Sequence, residues 1–273
     1  MSKSVKDKVV IVTGGTSGIG RACAEAFGRE GAKVVITGRN AEKLKEAQTF
    51  LENQNIEVLP LRLDVSKEED NKELAEKTIE KFGKIDILVN NAGISMRALF
   101  KDLDLSVLKS LMDINFWGTV YATKYCIPHI IKTNGSVVGV SSIAGFRGLP
   151  ARTGYSASKF AMQGFLEALR TEMKAENVHV LIACPGYTSS NIRNTALLQD
   201  GSTQGNSPKD EGKMMTSEEC ANHILKATKK RQNILILTLQ GKLTVFLNKL
   251  FPSFMDKLVL NAIAKEGEIP NTK

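Results

Sequence analysis

An apolar run, Val9-Val10-Ile11-Val12, stops at Thr13-Gly14-Gly15-Thr16-Ser17-Gly18-Ile19-Gly20. A strand that ends in glycines and opens a helix makes an anion site. Backbone without a Cβ can approach phosphate oxygens, and the helix N-terminus offers free N–H groups and a positive dipole end. Thr16 and Ser17 add hydroxyl donors. The spacing, Gly14-x-x-x-Gly18-x-Gly20, differs from Gly-x-Gly-x-x-Gly, and on its own it also describes a glycine-rich turn with no ligand. Far downstream, Tyr155-Ser156-Ala157-Ser158-Lys159 sets a phenol and an ammonium four residues apart, on one face of a helix. The ordinary phenol pKa is near ~10, and a nearby ammonium is expected to lower it. Such a pair can protonate a carbonyl oxygen as hydride reaches the carbon. A pyrophosphate seat together with a proton donor suggests nicotinamide-dependent oxidation and reduction.

The second apolar run, Val34-Val35-Ile36-Thr37, ends in Gly38-Arg39-Asn40. An Asp or Glu at such a position binds both ribose hydroxyls of NAD. Here Gly38 is followed by a cation that can pair with a 2′-phosphate. NADP(H) is therefore favoured over NAD(H), with Arg39 and Asn40 as cofactor contacts.

These groups need a scaffold. β-Branched apolar runs recur at Lys8–Thr13, Lys33–Thr37, Glu57–Leu63, Ile85–Asn90, Ser136–Ser141, His179–Cys184 and Ile234–Thr238. Near-continuous runs of this kind are parallel strands buried on both faces. Helical periodicity fills the intervals at Arg21–Glu30, Ala41–Asn53, Glu68–Phe82, Ser106–Thr133, Thr153–Ala175 and Ser217–Lys230. Ser106 and Asp104 are equal candidates to cap the long fourth helix. The pattern implies an α/β doubly wound, Rossmann-type, seven-stranded parallel sheet with helices on both faces. Residues 1–240 read as the nucleotide-binding domain with its catalytic site, and 241–273 as a helical extension of it. Asn191–Met215, rich in Ser, Gly, Asn, Gln and charge, reads as a mobile loop.

Composition bounds the rest. The 273 residues carry a formal charge of +8. Nucleic-acid binding is not indicated, because the lysines are scattered through helices beside Glu, and a basic balance suits a polyanionic cofactor. The four cysteines, Cys23, Cys126, Cys184 and Cys220, are far apart and sit in apolar segments. They read as buried thiols of a cytoplasmic protein. His129, His179 and His223 have no paired-ligand pattern, so no metal is expected. Tyr121, Tyr125 and Tyr187 lack a Lys at the matching spacing and read as packing residues. No run reaches the ~18–20 apolar residues of a membrane span.

The chain resembles the short-chain dehydrogenase/reductase family from Lys8 to about Thr238. The resemblance rests on Thr13–Gly20, Asn90-Asn91-Ala92-Gly93, Asn115 in the long helix, Ser141-Ser142, Tyr155-x-x-x-Lys159 and Pro185-Gly186, in family order. It implies an oxidoreductase that interconverts a ketone or aldehyde and an alcohol, with Tyr155 as general acid/base. Lys159 would also bind the nicotinamide ribose. Ser142, chosen over Ser141 because its interval to Tyr155 matches the family, would bond the substrate oxygen. Asn115 would hold a water that links Lys159 to solvent. Asp64-Val65 would contact adenine, Asn91-Ala92-Gly93 would line the groove, and Pro185-Gly186-Tyr187-Thr188 would meet the carboxamide. Ser190 stands where the family often has Thr. The alternative function is a non-catalytic NADP(H)-binding sensor or scaffold.

The segment Gly241–Lys265 is apolar at helical spacing with interspersed lysines, and Pro252 should divide it. Packing on the chain's own core or on a second subunit is the leading reading. Roofing an apolar, lipid-like substrate is the second. Peripheral contact with a membrane is not favoured. A homo-oligomer, dimer or tetramer, is expected through the helices at Ser106–Thr133 and Thr153–Ala175.

Overall fold

The computed structural model describes residues 3–205, 212 and 214–264. Of the polar loop, residues 206–211 and 213 lie outside the described residues, as does the tail from Lys265 onward. Seven strands form one parallel sheet: β1 (Val9–Val12), β2 (Lys33–Gly38), β3 (Val58–Arg62), β4 (Ile87–Asn90), β5 (Ser136–Val140), β6 (His179–Cys184) and β7 (Ile234–Ile236). Their order is β3-β2-β1-β4-β5-β6-β7. All seven strand expectations hold.

Alternation along β1 explains the layers. Val10 and Val12 face one side, and Val9 and Ile11 the other. The first side packs on α1 (Gly18–Arg29), α2 (Ala41–Glu52) and α7 (Ser217–Lys229), through Phe27, Leu51 and Ile224 among others. The second packs on α3 (Glu68–Phe82), α5 (Gly118–Lys132) and α6 (Thr153–Glu172), through Leu74, Ile130 and Leu166. Period-2 strands between two apolar helix layers leave no sheet face for water. The chain order reverses between β1 and β4, which opens a crevice at the strands' carboxyl ends.

The long fourth helix is not continuous. It comprises α4 (Leu105–Leu111), a π-helical turn (Met112–Trp117) and α5. Asp104 rather than Ser106 is its cap: its carboxylate accepts from the Ser106 N–H at 2.8 Å. Hydrogen bonds from Ser106 hold that carboxyl below its ordinary pKa. Two helices extend beyond the core, α8 (Leu239–Leu250) and α9 (Pro252–Ala264). Thr238 caps α8 by accepting from Gly241 N–H at 3.0 Å. Pro252 opens α9, where its missing N–H costs no helical hydrogen bond and its fixed φ suits the first position. Among the described residues, no helix is long and apolar enough to cross a membrane.

Candidate active site

The glycine turn folds tightly because two positions exclude a side chain. Gly14 has φ +64° and lies so near Ala92 that a Cβ would stand 2.9 Å from its Cα. A Cβ on Gly20 would collide with the Gly14 carbonyl oxygen. Gly18 and Ile19 open α1, whose first turn carries no acidic residue. Ser17 stands at the N-cap without its hydroxyl capping the helix. Asn91 and Ala92 clamp the turn from β4. Both backbone N–H groups donate to Thr13 Oγ1, at 3.0 and 3.1 Å, and Asn91 Nδ2 donates to the carbonyls of Thr13 and Gly14. The result is a backbone-lined cradle that fits a dinucleotide pyrophosphate.

The neighbouring strand ends supply the next groups. Thr16 packs so closely on Gly38 that any side chain there would meet its methyl group. Arg39 holds its guanidinium 3.8 Å from Asp64, with 60% of the side chain exposed. Arg62, absent from the sequence reading, donates to the Arg39 carbonyl at 3.1 Å and brings a second guanidinium to this corner. Asn40 spends its side-chain oxygen on the Lys43 N–H, as the cap of α2. Asp64 accepts from the Ser66 N–H and hydroxyl. Val65 is buried, and a Cβ on Gly118 would stand 2.9 Å from its Cγ2.

Across the switch point lies a cavity of about 270 Å³. Its wall brings together Ile19, Asn91, Gly93, Ser142, Tyr155, Lys159, Pro185, Gly186 and Thr188. Tyr155 and Ser142 share that wall, and hydrogen bonding from Ser142 acts to lower the Tyr155 pKa. Ser142 also accepts from the Ala144 N–H at 3.1 Å, which sets its rotamer. Ser141 is turned inward, accepting from Gln163 Nε2 at 2.9 Å. Gln163, missed by the sequence reading, also donates to the Ser142 carbonyl and so fixes the turn that aims Ser142 at the cavity.

Lys159 departs from expectation. Its Nζ lies 5.8 Å from the Tyr155 ring centroid and donates to the Val140 carbonyl at 2.9 Å. Burial lowers its pKa to about 8. Burial also raises the Tyr155 pKa, against the Ser142 hydrogen bond and the charges of Arg152 and Arg193. The expected lowering by Lys159 is therefore corrected: desolvation outweighs nearby charge.

Asn115 sits in the π turn, fully buried. It donates to the Ile94 carbonyl (3.0 Å) and the Ser158 hydroxyl (2.9 Å), and accepts from the Ile94 N–H (2.8 Å). A π turn widens the helix by one residue and is a device of functional sites. Here it carries the amide inward to segment 93–94. A Cβ built on Gly93 would stand 3.1 Å from Asn115 Oδ1 and 3.6 Å from Lys159 Nζ.

The segment after β6 closes the crevice. The Pro185 carbonyl accepts from the Ile143 N–H (3.2 Å), and the Thr188 carbonyl accepts from Arg193 (2.8 Å). Ser190 lies over the glycine turn, its Cβ 3.3 Å from where a Gly18 Cβ would be. Tyr187 is half exposed on the cavity wall, which corrects its reading as a packing residue. Tyr121 does pack, stacked on Trp117 at 5.5 Å, while the Tyr125 hydroxyl donates to Glu68. His179 is a core residue held by Ser136 and the Gln232 carbonyl, and burial lowers its pKa to about 4. Among the described residues no group of three His, Cys, Asp or Glu could hold a metal.

The tail completes the cavity. Gln240, Gly241 and Thr244 of α8 and Val259, Ala262 and Ile263 of α9 line it. Met255, Val259 and Ile263 pack on Leu149 and on Leu247 of α8 in a small cluster of their own beside the cavity wall. Its outer face exposes Leu243, Phe246, Leu250, Phe254 and Leu258.

Residues 8–200 match the family model described as short chain dehydrogenase. Dehydrogenase/reductase SDR family member 7B of Xenopus tropicalis is 35% identical, over 98% of this chain and 89% of that protein. The 11-beta-hydroxysteroid dehydrogenase A of Arachis hypogaea is 34% identical, over 94% of this chain and 75% of that protein. A short chain dehydrogenase/reductase from Burkholderia phymatum, solved in complex with NAD, superposes with a TM-score of 0.82 at 23% identity, covering 92% of this chain and 96% of the other. An alcohol dehydrogenase from Thermococcus sibiricus, complexed with 5-hydroxy-NADP, gives a TM-score of 0.73 at 24% identity, covering 84% and 95%. The cradle, the switch-point cavity and these matches together show that the chain belongs to the short-chain dehydrogenase/reductase family of nicotinamide-dependent oxidoreductases.

Proposed function

We propose that the protein is an NADP(H)-dependent oxidoreductase that interconverts a ketone or aldehyde and its alcohol, on an apolar or lipid-like substrate. The observation that carries this reading is the convergence of Ser142, Tyr155 and Lys159 at the wall of a cavity roofed by an apolar helix. Gly14, Thr16, Ser17, Gly18, Ile19 and Gly20 hold the pyrophosphate. Asp64 and Val65 flank the adenine, Asn91, Ala92 and Gly93 line the groove, and Pro185, Gly186 and Thr188 meet the carboxamide. Arg39, beside Asn40, takes the 2′-phosphate. This preference is supported by its exposed guanidinium, the neighbouring Arg62 and the absence of a carboxylate at Gly38. When bound, NADP(H) supplies or takes up hydride.

The chain's own groups manage the oxygen. Ser142 and Tyr155 hold the carbonyl oxygen between two hydroxyls. Tyr155 gives its proton to that oxygen in reduction and takes it back in oxidation. Its raised pKa keeps the phenol protonated at neutral pH, as reduction requires. Lys159 holds the nicotinamide ribose, for which its Nζ must leave or share the Val140 carbonyl. Asn115 keeps a water beside Gly93 that links Lys159 to solvent, a role supported by the convergence of Oδ1 and Nζ there.

A homo-oligomer, dimer or tetramer, is proposed through the segment formed by α4, the π turn and α5, and through α6. Trp117 and Phe160 are exposed on these elements, and Phe116, Tyr121 and Phe165 extend the aromatic surface. Light scattering tests it, since a monomer at micromolar concentration contradicts it. We place the protein in the cytoplasm, in keeping with four buried thiols. The activity is tested by following NADPH absorbance with a panel of long-chain oxo, steroid and aromatic ketones. Tight NADPH binding with no turnover on any of them would favour a sensor or scaffold instead.

A further inference from the structure

Ser142 stands at the start of a single 3-10 turn, Ile143–Gly145, that ends at Phe146. Turns of this kind have poor hydrogen-bond geometry and hold their shape weakly on their own. The near end is fixed from inside the fold, where Gln163 of α6 donates to the Ser142 carbonyl at 3.2 Å. The far end is fixed from the tail. Asn248 Nδ2 of α8 donates to the Phe146 carbonyl at 3.1 Å, and Asn248 Oδ1 accepts from the Arg147 guanidinium at 3.1 Å. One amide thus brackets two consecutive residues of the segment. The other arm of Arg147 pairs with Asp256 of α9, and only 15% of the Arg147 side chain is exposed. α8 also opens against the turn: a Cβ on Gly241 would stand 2.8 Å from Ile143 Cδ1. Roofing a pocket explains the apolar residues of the tail, but not an amide spent on the backbone that follows Ser142.

We propose that Asn248 and Arg147 are positioning residues: by holding the Phe146–Arg147 end of the turn, they hold the Ser142 hydroxyl where the substrate oxygen must sit. A donor aimed at developing charge loses most of its effect when it is displaced by about an ångström. Ser142 Oγ accepts from the Ala144 N–H at 3.1 Å, inside the turn that Asn248 grips, so the hydroxyl moves when the turn moves. Docking of the tail and placement of Ser142 are then one event. The inference rests on the reading of Ser142 as the group that bonds the substrate oxygen, whereas the state of the turn can be measured without turnover.

The test compares Asn248→Ala and Asn248→Asp in the full chain, each with and without Ser142→Ala. The Asp variant keeps the size and an acceptor for Arg147 but loses the donor to Phe146. Both should lower kcat for the best-reduced ketone of the panel by about 10–100-fold, as for a catalytic group misplaced by about an ångström, with the NADPH dissociation constant unchanged. In the Ser142→Ala background they should cost almost nothing further, because the group they position is gone. Amide exchange of the NADP+-saturated chain reads the turn directly. The Ala144 N–H, bonded to Ser142 Oγ, should exchange faster in both variants, and the Ser141 N–H, bonded to the Ala183 carbonyl, should not. Equal fold losses in the two backgrounds overturn the proposal, since the tail would then act on the cavity and not through Ser142. An unchanged kcat, a loss confined to KM, or unaltered Ala144 exchange overturns it too. Where Asn248→Ala fails to fold, Asn248→Asp carries the test. Where the Ser142→Ala rate is too low to follow, Ala144 exchange decides. Faster Ala144 exchange in a protein that reduces no ketone would sink the reductase reading and leave the clamp on the turn standing.

Discussion

α6 and α9 line the same cavity on opposite terms. α6 is wedged between sheet and neighbours, burying Ser158, Lys159, Met162, Gln163 and Leu166, with Ser158, Lys159 and Gln163 each hydrogen-bonded. α9 buries only Met255, Val259 and Ile263 and leaves Phe254 and Leu258 in solvent. One ion pair, Arg147 with Asp256, and the Arg147–Asn248 hydrogen bond help tie the tail down. The difference teaches a division of labour. Groups that exchange protons must be held to a fraction of an ångström, so they sit on the densest part of the core. A cover that only excludes water and contacts an aliphatic chain needs area rather than precision, and can be drawn from the least stable part of the fold.

The strongest way to break this contrast is Tyr155→Phe. It should lower turnover by about 10²–10⁴-fold, the range for a positioned general acid, while NADPH affinity and Tm hold. Substantial residual reductase activity in the folded variant refutes the assignment. Next in size is a packing comparison. Leu166→Ala in α6 should cost about 2–5 kcal/mol of global stability in a denaturant melt, whereas Met255→Ala should leave the global midpoint nearly unmoved. Instead it should speed amide exchange across 252–264 and raise KM for bulky ketones more than for small ones. Equal losses of global stability would show that the tail is part of the cooperative core.

Arg39→Ala should weaken NADPH by about 1.5–3 kcal/mol and leave NADH nearly unchanged. Equal dissociation constants for the two cofactors in the unaltered protein would sink the NADP(H) preference. Removing the Thr238 cap with Ala should destabilise α8 by about 1 kcal/mol, visible as faster exchange in 239–250 with no change at α6.

A pH experiment sharpens the same comparison. Lys159 has a folded pKa of about 8 against an ordinary 10.5. Between those values the cofactor-free folded chain binds fewer protons than the unfolded chain, so stability rises with pH across that window. Below about pH 8 the full cost of the buried ammonium is present. Lys159→Met should therefore raise Tm most at pH 6–7, and the gain should fade toward pH 10. A gain independent of pH would show that packing, not charge, set it.

Local pattern was enough for the scaffold. Seven β-branched runs became seven parallel strands, the Gly14–Gly20 turn became a cradle, and Pro252 split the tail, because strand and helix period, absent side chains and a missing N–H act within a few residues. Tyr155 and Lys159 were legible for the same reason, as one helical turn separates them. Tertiary structure decided the rest. The π turn at Asn115 depends on Ile94 and Ser158, partners that are distant in sequence and carry no local signal. The Tyr155 pKa rises rather than falls because burial, a property of the whole fold, outweighs the Ser142 hydrogen bond and the charges of Arg152 and Arg193. Arg152 lies three residues before Tyr155 in the sequence, but Arg97 and Arg193 reach the same cavity wall only through the fold. α9's amphipathic period said that one face would be covered, and only the packed chain determined that this face roofs the cavity.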